Sequence, residues 1–232
     1  MTLKTALLAG STGLIGREVL ELLLNDENYR EVISIVRKTS GVKHAKLREI
    51  VVDFGTLSSS LQGCKADVVF CCIGTTMAKA GSQENFRKVD YDIPVNLAKW
   101  SEQNKVSGFY LVSALGASSK SGIFYNKVKG EVEDFISTTS IPHIVFFRPS
   151  LLLGDRTEKR PGEKAAILFA KLFSFLFIGP LRRYKSIHVK TVAKAMVKKA
   201  AVSVKGVEVV ENEQISTLAN LLIEVVKNEQ IS

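Results

Sequence analysis

Residues 5–24 read TALLAGSTGLIGREVLELLL: an apolar run (Thr5, Ala6, Leu7, Leu8, Ala9), a seven-residue turn (Gly10, Ser11, Thr12, Gly13, Leu14, Ile15, Gly16), and a stretch with apolar residues at helical spacing. An unbroken apolar run closed by glycine is the pattern of a buried strand, and the periodic stretch after it is that of an amphipathic helix. A glycine turn between them leaves the first amides of the helix free for an anion, with a phosphate as the natural guest. Gly10 permits the sharp turn, Gly13 lets the backbone approach a pyrophosphate, and Gly16 lets the helix lie close on its strand.

The glycines are spaced GxxGxxG, and this resembles the short-chain dehydrogenase/reductase superfamily, in particular its extended and atypical branches. The remaining chain fits one domain of that kind. Its 232 residues can bury a sizeable core, and 46% hydrophobic with 24% charged residues is the composition of an ordinary globular protein. The fold expected is a single α/β Rossmann-type domain over residues 1–232, doubly wound around a mainly parallel sheet of roughly seven strands. Residues 150–232 are expected to supply a small substrate-binding portion.

The second strand, Glu31 to Val36, ends in Arg37 and Lys38. An acid at that point would bond the ribose hydroxyls of NAD, whereas a cation accommodates the 2′-phosphate of NADP. Arg37 therefore argues for NADPH/NADP, with Ser11, Thr12 and Lys38 as further donors. The third strand, Leu47 to Val52, ends at Asp53 and Phe54; Asp53 is a helix cap or, as the superfamily resemblance implies, the contact to the adenine amino group. The fourth, Ala66 to Ile73, is nearly all apolar, as a central parallel strand covered on both faces must be. It runs into Gly74, Thr75 and Thr76, small residues that suit close approach to the ribose and nicotinamide.

Cys71 to Thr76, then Lys79 to Gly81, then Phe86 to Asp90, resemble the HIV Tat-interacting-protein-like oxidoreductases, a group of atypical short-chain reductases. The likeness continues through Lys127 to Glu133, Phe147 to Pro149, Asp155 to Glu163 and the surroundings of Glu211 and Asn212. It implies an NADPH-binding Rossmann protein and leaves the substrate open.

A helix is expected from about Asp92 to Asn104, capped by Asp90 or Asp92, with Pro94 in its first turn, where a missing N–H costs little. The fifth strand, Gly108 to Val112, delivers Ser113 to the carboxyl edge of the sheet, where open α/β sheets bind ligands. Twelve residues on comes Tyr125 and four further Lys129, which on a helix share one face. That adjacency serves chemistry, because a phenol with a pKa near 10 is a poor acid or base at neutral pH until a fixed positive charge stabilises its phenolate. Ser113, Tyr125 and Lys129 match the superfamily's catalytic set residue by residue, with Ser113 expected to bond the substrate carbonyl. Ala114 stands where many relatives carry a second serine.

The sixth strand, His143 to Phe147, ends in Arg148, Pro149 and Ser150, a segment that in the superfamily passes beside the nicotinamide amide. His143 sits at the strand's start, on the edge away from the site, and reads as a structural residue. Asp155 to Lys164 reads as a polar loop over the site. Ala165 to Leu181 is apolar, interrupted by Lys171 and short for a bilayer span; it is expected to roof the cleft or pack in a dimer, so the partner expected is a hydrophobic small molecule, bound by a monomer or homodimer. Thr191 is the expected cap of the next helix. Val207 to Val210 reads as a last strand and Thr217 to Val226 as a last helix. The string Asn-Glu-Gln-Ile-Ser occurs at Asn212 and again at Asn228, too few copies for a solenoid.

The net charge of +9 arises between Asp155 and Lys199, where twelve Lys or Arg face three Asp or Glu. No nucleic-acid-binding motif accompanies this patch, so the reading is a solvated face or an electrostatic funnel for an anionic ligand, and no nucleic-acid partner is expected. Cys64, Cys71 and Cys72 have no metal-ligand spacing, and no metal is expected. A strand that begins at once after Met1 leaves no room for the apolar core of a signal peptide, and the expected location is the cytoplasm. The function expected is NADPH-dependent reduction of a carbonyl or related group; the alternative is a non-catalytic NADP(H) sensor acting through a protein partner.

Overall fold

In the computed structural model, described over residues 2–154, 185–202 and 204–221, seven strands form one sheet in the order β3-β2-β1-β4-β5-β6-β9, parallel throughout. They are β1 (Lys4–Ala9), β2 (Tyr29–Val36), β3 (Leu47–Val51), β4 (Val68–Cys71), β5 (Gly108–Val112), β6 (His143–Arg148) and β9 (Gly206–Glu211). Two short strands, β7 (Leu152–Leu153) and β8 (Ile187–His188), make a separate parallel pair. The principal helices are α1 (Leu14–Asn25), α5 (Ile93–Gln103), α6 (Phe124–Ser137), α7 (Val189–Ala201) and α8 (Asn212–Asn220). Shorter pieces are α2 (Leu57–Ser60), α3 (Met77–Ala80) and α4 (Gln83–Arg87), with a 3₁₀ turn, Phe54–Thr56, before α2 and a π-helical turn, Lys88–Asp92, after α4.

The alternation of side chains along each strand sorts the core into two layers. Ala6, Leu8, Val32, Phe70, Tyr110, Val145 and Phe147 bury one face of the sheet against α1, α7 and α8. Their strand neighbours Leu7, Ala9, Val69, Phe109, Leu111, Ile144 and Phe146 bury the other against α2, α5 and α6, through Leu57, Leu97, Trp100, Val132 and Ile136. Strands covered on both faces are apolar at consecutive positions, which is why β1 and β4 carry no polar alternation. The order reverses between β1 and β4, and in open α/β sheets ligands bind at such a switch point, outside the carboxyl ends of the strands.

The chain departs from the sequence reading at several helix starts. The expected helix at Asp92 is the last part of a longer run: α4 passes through a π-helical turn, Lys88–Asp92, into α5, and Asp92, at the N-cap position of α5, makes no side-chain capping hydrogen bond. His188, not Thr191, caps α7, its ring accepting a hydrogen bond from the Lys190 amide at 3.2 Å. The last helix starts at Asn212, five residues before the expected Thr217, because Glu211 and Gln214 form a reciprocal capping box there. The first Asn-Glu-Gln-Ile-Ser copy is thus the opening turns of α8. The second copy, the expected polar loop from Asp155 and the apolar stretch from Ala165 lie outside the described residues. Among the described residues, no helix is long and apolar enough to cross a membrane.

Candidate functional site

The switch point is built on contacts that only glycine allows. Gly10 has φ +87°, and a Cβ there would stand 2.7 Å from the Cys72 carbonyl. A Cβ on Gly16 would stand 2.0 Å from the Gly10 carbonyl oxygen, so α1 lies directly on the turn. Gly13 takes the N-cap position and has no side chain with which to satisfy the first amides of α1. These donors and the positive end of the helix dipole form an anion cradle of the kind a dinucleotide pyrophosphate fills. Gly16→Ala is expected to cost about 3 kcal/mol, the upper end of the usual range for overpacking. Urea midpoints would measure it, and an unchanged midpoint would mean that the close contact is not maintained in solution.

Around this cradle the expected binding residues occupy one edge of the sheet. Leu14 and Ile15 open α1, with Ile15 buried. Thr12 is exposed, whereas Ser11 is buried and its Oγ accepts a hydrogen bond at 2.6 Å from Ser34 of β2. Arg37 and Lys38 follow β2, both exposed. Asp53 caps the short 3₁₀ turn Phe54–Thr56, its Oδ1 accepting from the Gly55 amide at 2.9 Å, and Phe54 packs against the second core layer. Gly74, Thr75 and Thr76 follow β4, and Thr76 caps α3. Pro149 is buried beyond β6, and the Ser150 amide donates to Asn212 Oδ1 at 2.9 Å.

On α6, Tyr125 and Lys129 stand one turn apart. The Tyr125 ring lies 5.5 Å from that of Phe86, which is fully buried. Lys129 is buried too, and its Nζ lies 2.7 Å from Asp90 Oδ1. The other Asp90 oxygen accepts from the Thr75 amide at 2.8 Å, which fixes the loop after β4 against the lysine. Desolvation, the largest influence, pulls the Lys129 pKa down, but the charge of Asp90, the proximity of Tyr125 and the Asp90 hydrogen bond together leave it raised. A charged ammonium is therefore held beside the phenol at neutral pH.

Ser113 is buried at the end of β5. Its Oγ donates to Glu133 Oε1 at 2.5 Å, and Arg148 approaches the same carboxylate with Nε at 3.0 Å and Nη2 at 2.5 Å. Arg148 Nη1 reaches Glu211 Oε1 at 3.0 Å. These hydrogen bonds, Glu133's first, raise the Arg148 pKa against its partial burial. Arg148, expected beside the nicotinamide amide, thus directs its guanidinium to two carboxylates.

Asp90, Glu133 and Glu211 were not among the candidate residues. Glu133 was within reach of the sequence, since it follows Lys129 by four positions and Tyr125 by eight and so shares their face of α6. Asp90 was not, because its side chain is aimed by the π-helical turn.

Residues 10–165 match the family described as NAD(P)H-binding. The chain belongs to that family. Within it, this is an atypical short-chain dehydrogenase/reductase of the Tat-interacting-protein-like group: it is 32% identical over 217 residues to protein HTATIP2 of Rattus norvegicus, covering 91% of this chain and 88% of the rat protein. Mitochondrial protein FMP52 of Candida albicans is 35% identical over 154 residues, 64% of this chain and 67% of the yeast protein. Among solved structures, a UDP-N-acetylglucosamine 4-epimerase from Methanobrevibacter ruminantium superposes with a TM-score of 0.66 at 19% identity, covering 100% of this chain and 84% of the epimerase, which bears on the fold. The chain thus has an oxidoreductase-type Rossmann fold for a nicotinamide dinucleotide.

The cytoplasmic expectation does not stand. Several fungal relatives at 32% to 35% identity are named as mitochondrial proteins. The argument from the lack of an apolar signal core bears on secretion alone, since mitochondrial targeting segments are amphipathic and rich in Arg and Ser.

Proposed function

We propose that this chain is an NADPH-dependent reductase of carbonyl compounds, with activated double bonds as a neighbouring substrate class, working in mitochondria like its fungal relatives. The observation that carries the reading is the placement of Tyr125 one helical turn from Lys129, a buried and charged lysine, at the ligand-binding edge of the sheet. A bound NADPH supplies the hydride. Tyr125 gives its hydroxyl proton to the substrate oxygen as negative charge develops there, and the ammonium of Lys129 stabilises the phenolate left behind. Asp90 keeps that ammonium in place and ties it to the loop where the ribose and nicotinamide would lie. The buried Phe86 backs the phenol ring and limits its rotation. The test is a panel of aldehydes, ketones and enones screened for NADPH oxidation; failure of every member would set the non-catalytic sensor reading ahead.

The choice of NADPH over NADH rests on Arg37 and Lys38 at the end of β2. Among the described residues neither has an acidic partner, and no acid stands at that strand end to receive ribose hydroxyls. Asp53, with Oδ1 taken by Gly55, would offer Oδ2 to the adenine amino group. Arg37→Asp is expected to reverse or erase the cofactor preference. A charge-assisted contact contributes about 1.5–3 kcal/mol, so the loss in NADPH affinity should be on the order of tenfold or more. Titration of both dinucleotides measures it, and equal or tighter binding of NADH by the unmodified protein would refute the assignment.

A further inference from the structure

Residues 149–151 join β6 to β7 and belong to neither strand, yet their backbone is held from three directions. The Pro149 carbonyl accepts from the Leu115 amide at 3.0 Å, in the loop after β5, and the Leu151 carbonyl accepts from the Ile187 amide at 3.0 Å. Between these, the Ser150 amide donates to Asn212 Oδ1 at 2.9 Å, and Asn212 Nδ2 donates to the Lys185 carbonyl at 2.8 Å, which also takes the Ser150 hydroxyl at 2.5 Å. Just before the segment, Arg148 Nη1 meets Glu211 Oε1 at 3.0 Å. Glu211 is at the same time the cap of α8. Two consecutive residues at the junction of β9 and α8 thus grip a loop sixty-two positions earlier in the chain. Asn212 is 3% exposed, and both ends of its amide are used. A carboxamide accepts at one end and donates at the other; aspartate could keep the bond to Ser150 but not that to Lys185, and leucine, of similar shape, could make neither.

A dinucleotide lies across the switch point, one mononucleotide to each half of the sheet. With its pyrophosphate on the glycine turn and its adenosine toward Arg37 and Asp53, as proposed above, its nicotinamide half belongs to the ends of β4, β5 and β6. Residues 149–151 follow the outermost of these strands. We propose that Asn212, supported by Glu211, is a positioning residue for the nicotinamide half of the dinucleotide, acting through residues 148–151 without touching the ligand. The inference rests on the dinucleotide reading and not on turnover, so it holds for a reductase and for a sensor alike. It gives the first Asn-Glu-Gln-Ile-Ser string, which Asn212 opens, a part in the site. Coupling of this kind is reciprocal: whatever the clamp contributes to binding the nicotinamide, the bound nicotinamide returns to the clamp and to the first turn of α8.

The experiment compares NADPH with 2′-phospho-ADP-ribose, which lacks only the nicotinamide. Asn212→Leu is expected to weaken NADPH binding by about tenfold, within the usual range for coupled sites, and to leave the affinity for 2′-phospho-ADP-ribose unchanged. A merely structural role would lower both affinities by the same factor, and that result overturns the proposal. Asn212→Asp should also weaken NADPH selectively, since its carboxylate faces the Lys185 carbonyl. Should neither variant fold, amide exchange in the unmodified protein decides: NADPH should slow exchange at the Ser150 amide and in the first turn of α8 beyond the slowing given by 2′-phospho-ADP-ribose, and equal protection by the two ligands refutes the coupling. Tighter binding of NADH would refute the choice of NADPH and move the same comparison to NADH and ADP-ribose, whereas binding of no dinucleotide would overturn this inference together with the cofactor assignment.

Discussion

Tyr125→Phe is expected to lower NADPH-dependent turnover of any carbonyl substrate by about 10²- to 10⁴-fold, the usual worth of a positioned general acid, with NADPH affinity nearly unchanged. The substitution removes one oxygen and its proton. The ring keeps its place against Phe86, 5.5 Å away, and Lys129 keeps its ion pair with Asp90, so the fold around the site has no reason to move. Loss of rate without loss of cofactor binding would mark an interaction made only as the substrate oxygen gains charge. The measurement is kcat/KM for the best substrate of the panel beside a dinucleotide titration of both proteins. Full activity in the variant would show that another group delivers the proton, and a parallel loss of NADPH binding would recast Tyr125 as a ligand of the dinucleotide alone.

How much of this site could be read from the sequence follows from which interactions are local. The strand, glycine turn and helix at residues 4–25 were legible because each is set by neighbours in the chain: apolar continuity, positive φ at Gly10, and helical spacing from Leu14. The seven strands were found for the same reason, with only their ends displaced. Tyr125 and Lys129 were legible because helical geometry alone makes them neighbours. The partners that set their electrostatics were not. Asp90 reaches Lys129 across thirty-nine positions because a π-helical turn rotates it inward, and the sequence offered only a capping role for it. Ser113 could be placed at the sheet edge from periodicity, yet the direction of its hydrogen depends on Glu133 from another element. The positions were local facts; the hydrogen-bond directions were tertiary ones.

The fold also divides the basic excess in a way that charge counting could not. Lys198 donates to the Ala219 carbonyl at 2.8 Å, at the last turn of α8, and Lys199 pairs with Glu208 at 2.7 Å. These cations tie α7 to the helix and strand that follow it. Tyr110 and Glu208 flank His143 at 3.2 Å and 3.4 Å, at the amino end of the sheet and away from the dinucleotide cradle, in keeping with a structural role for that histidine. The candidate site therefore lies at the carboxyl edge, while His143, Tyr110 and Glu208 form a separate polar cluster toward the opposite edge.

Asp90→Ala is expected to destabilise the protein by about 3–5 kcal/mol, the usual cost of leaving one member of a buried ion pair without its partner. Lys129 is 5% exposed and Asp90 1%, so solvent cannot replace the lost charge. The pH dependence separates this from ordinary cavity formation. In the unmodified protein the Lys129 pKa is raised, so the pair's contribution is complete below the ordinary lysine value of about 10.4 and is lost only as pH rises through the folded value. Between about pH 7 and 9 the pair therefore adds no slope. Without Asp90, desolvation dominates, the folded protein favours the neutral amine, and the unfolded chain binds the extra proton. Stability of the variant must then rise with pH relative to the unmodified protein, narrowing the gap between them toward pH 9. Asp90→Asn, which keeps the shape and removes the charge, should show the same slope with a smaller cavity cost. Urea unfolding of the three proteins across that range measures it. A gap that stays constant with pH would mean that Lys129 finds another anion or water once Asp90 is gone, and that the ion pair does not hold the lysine beside Tyr125.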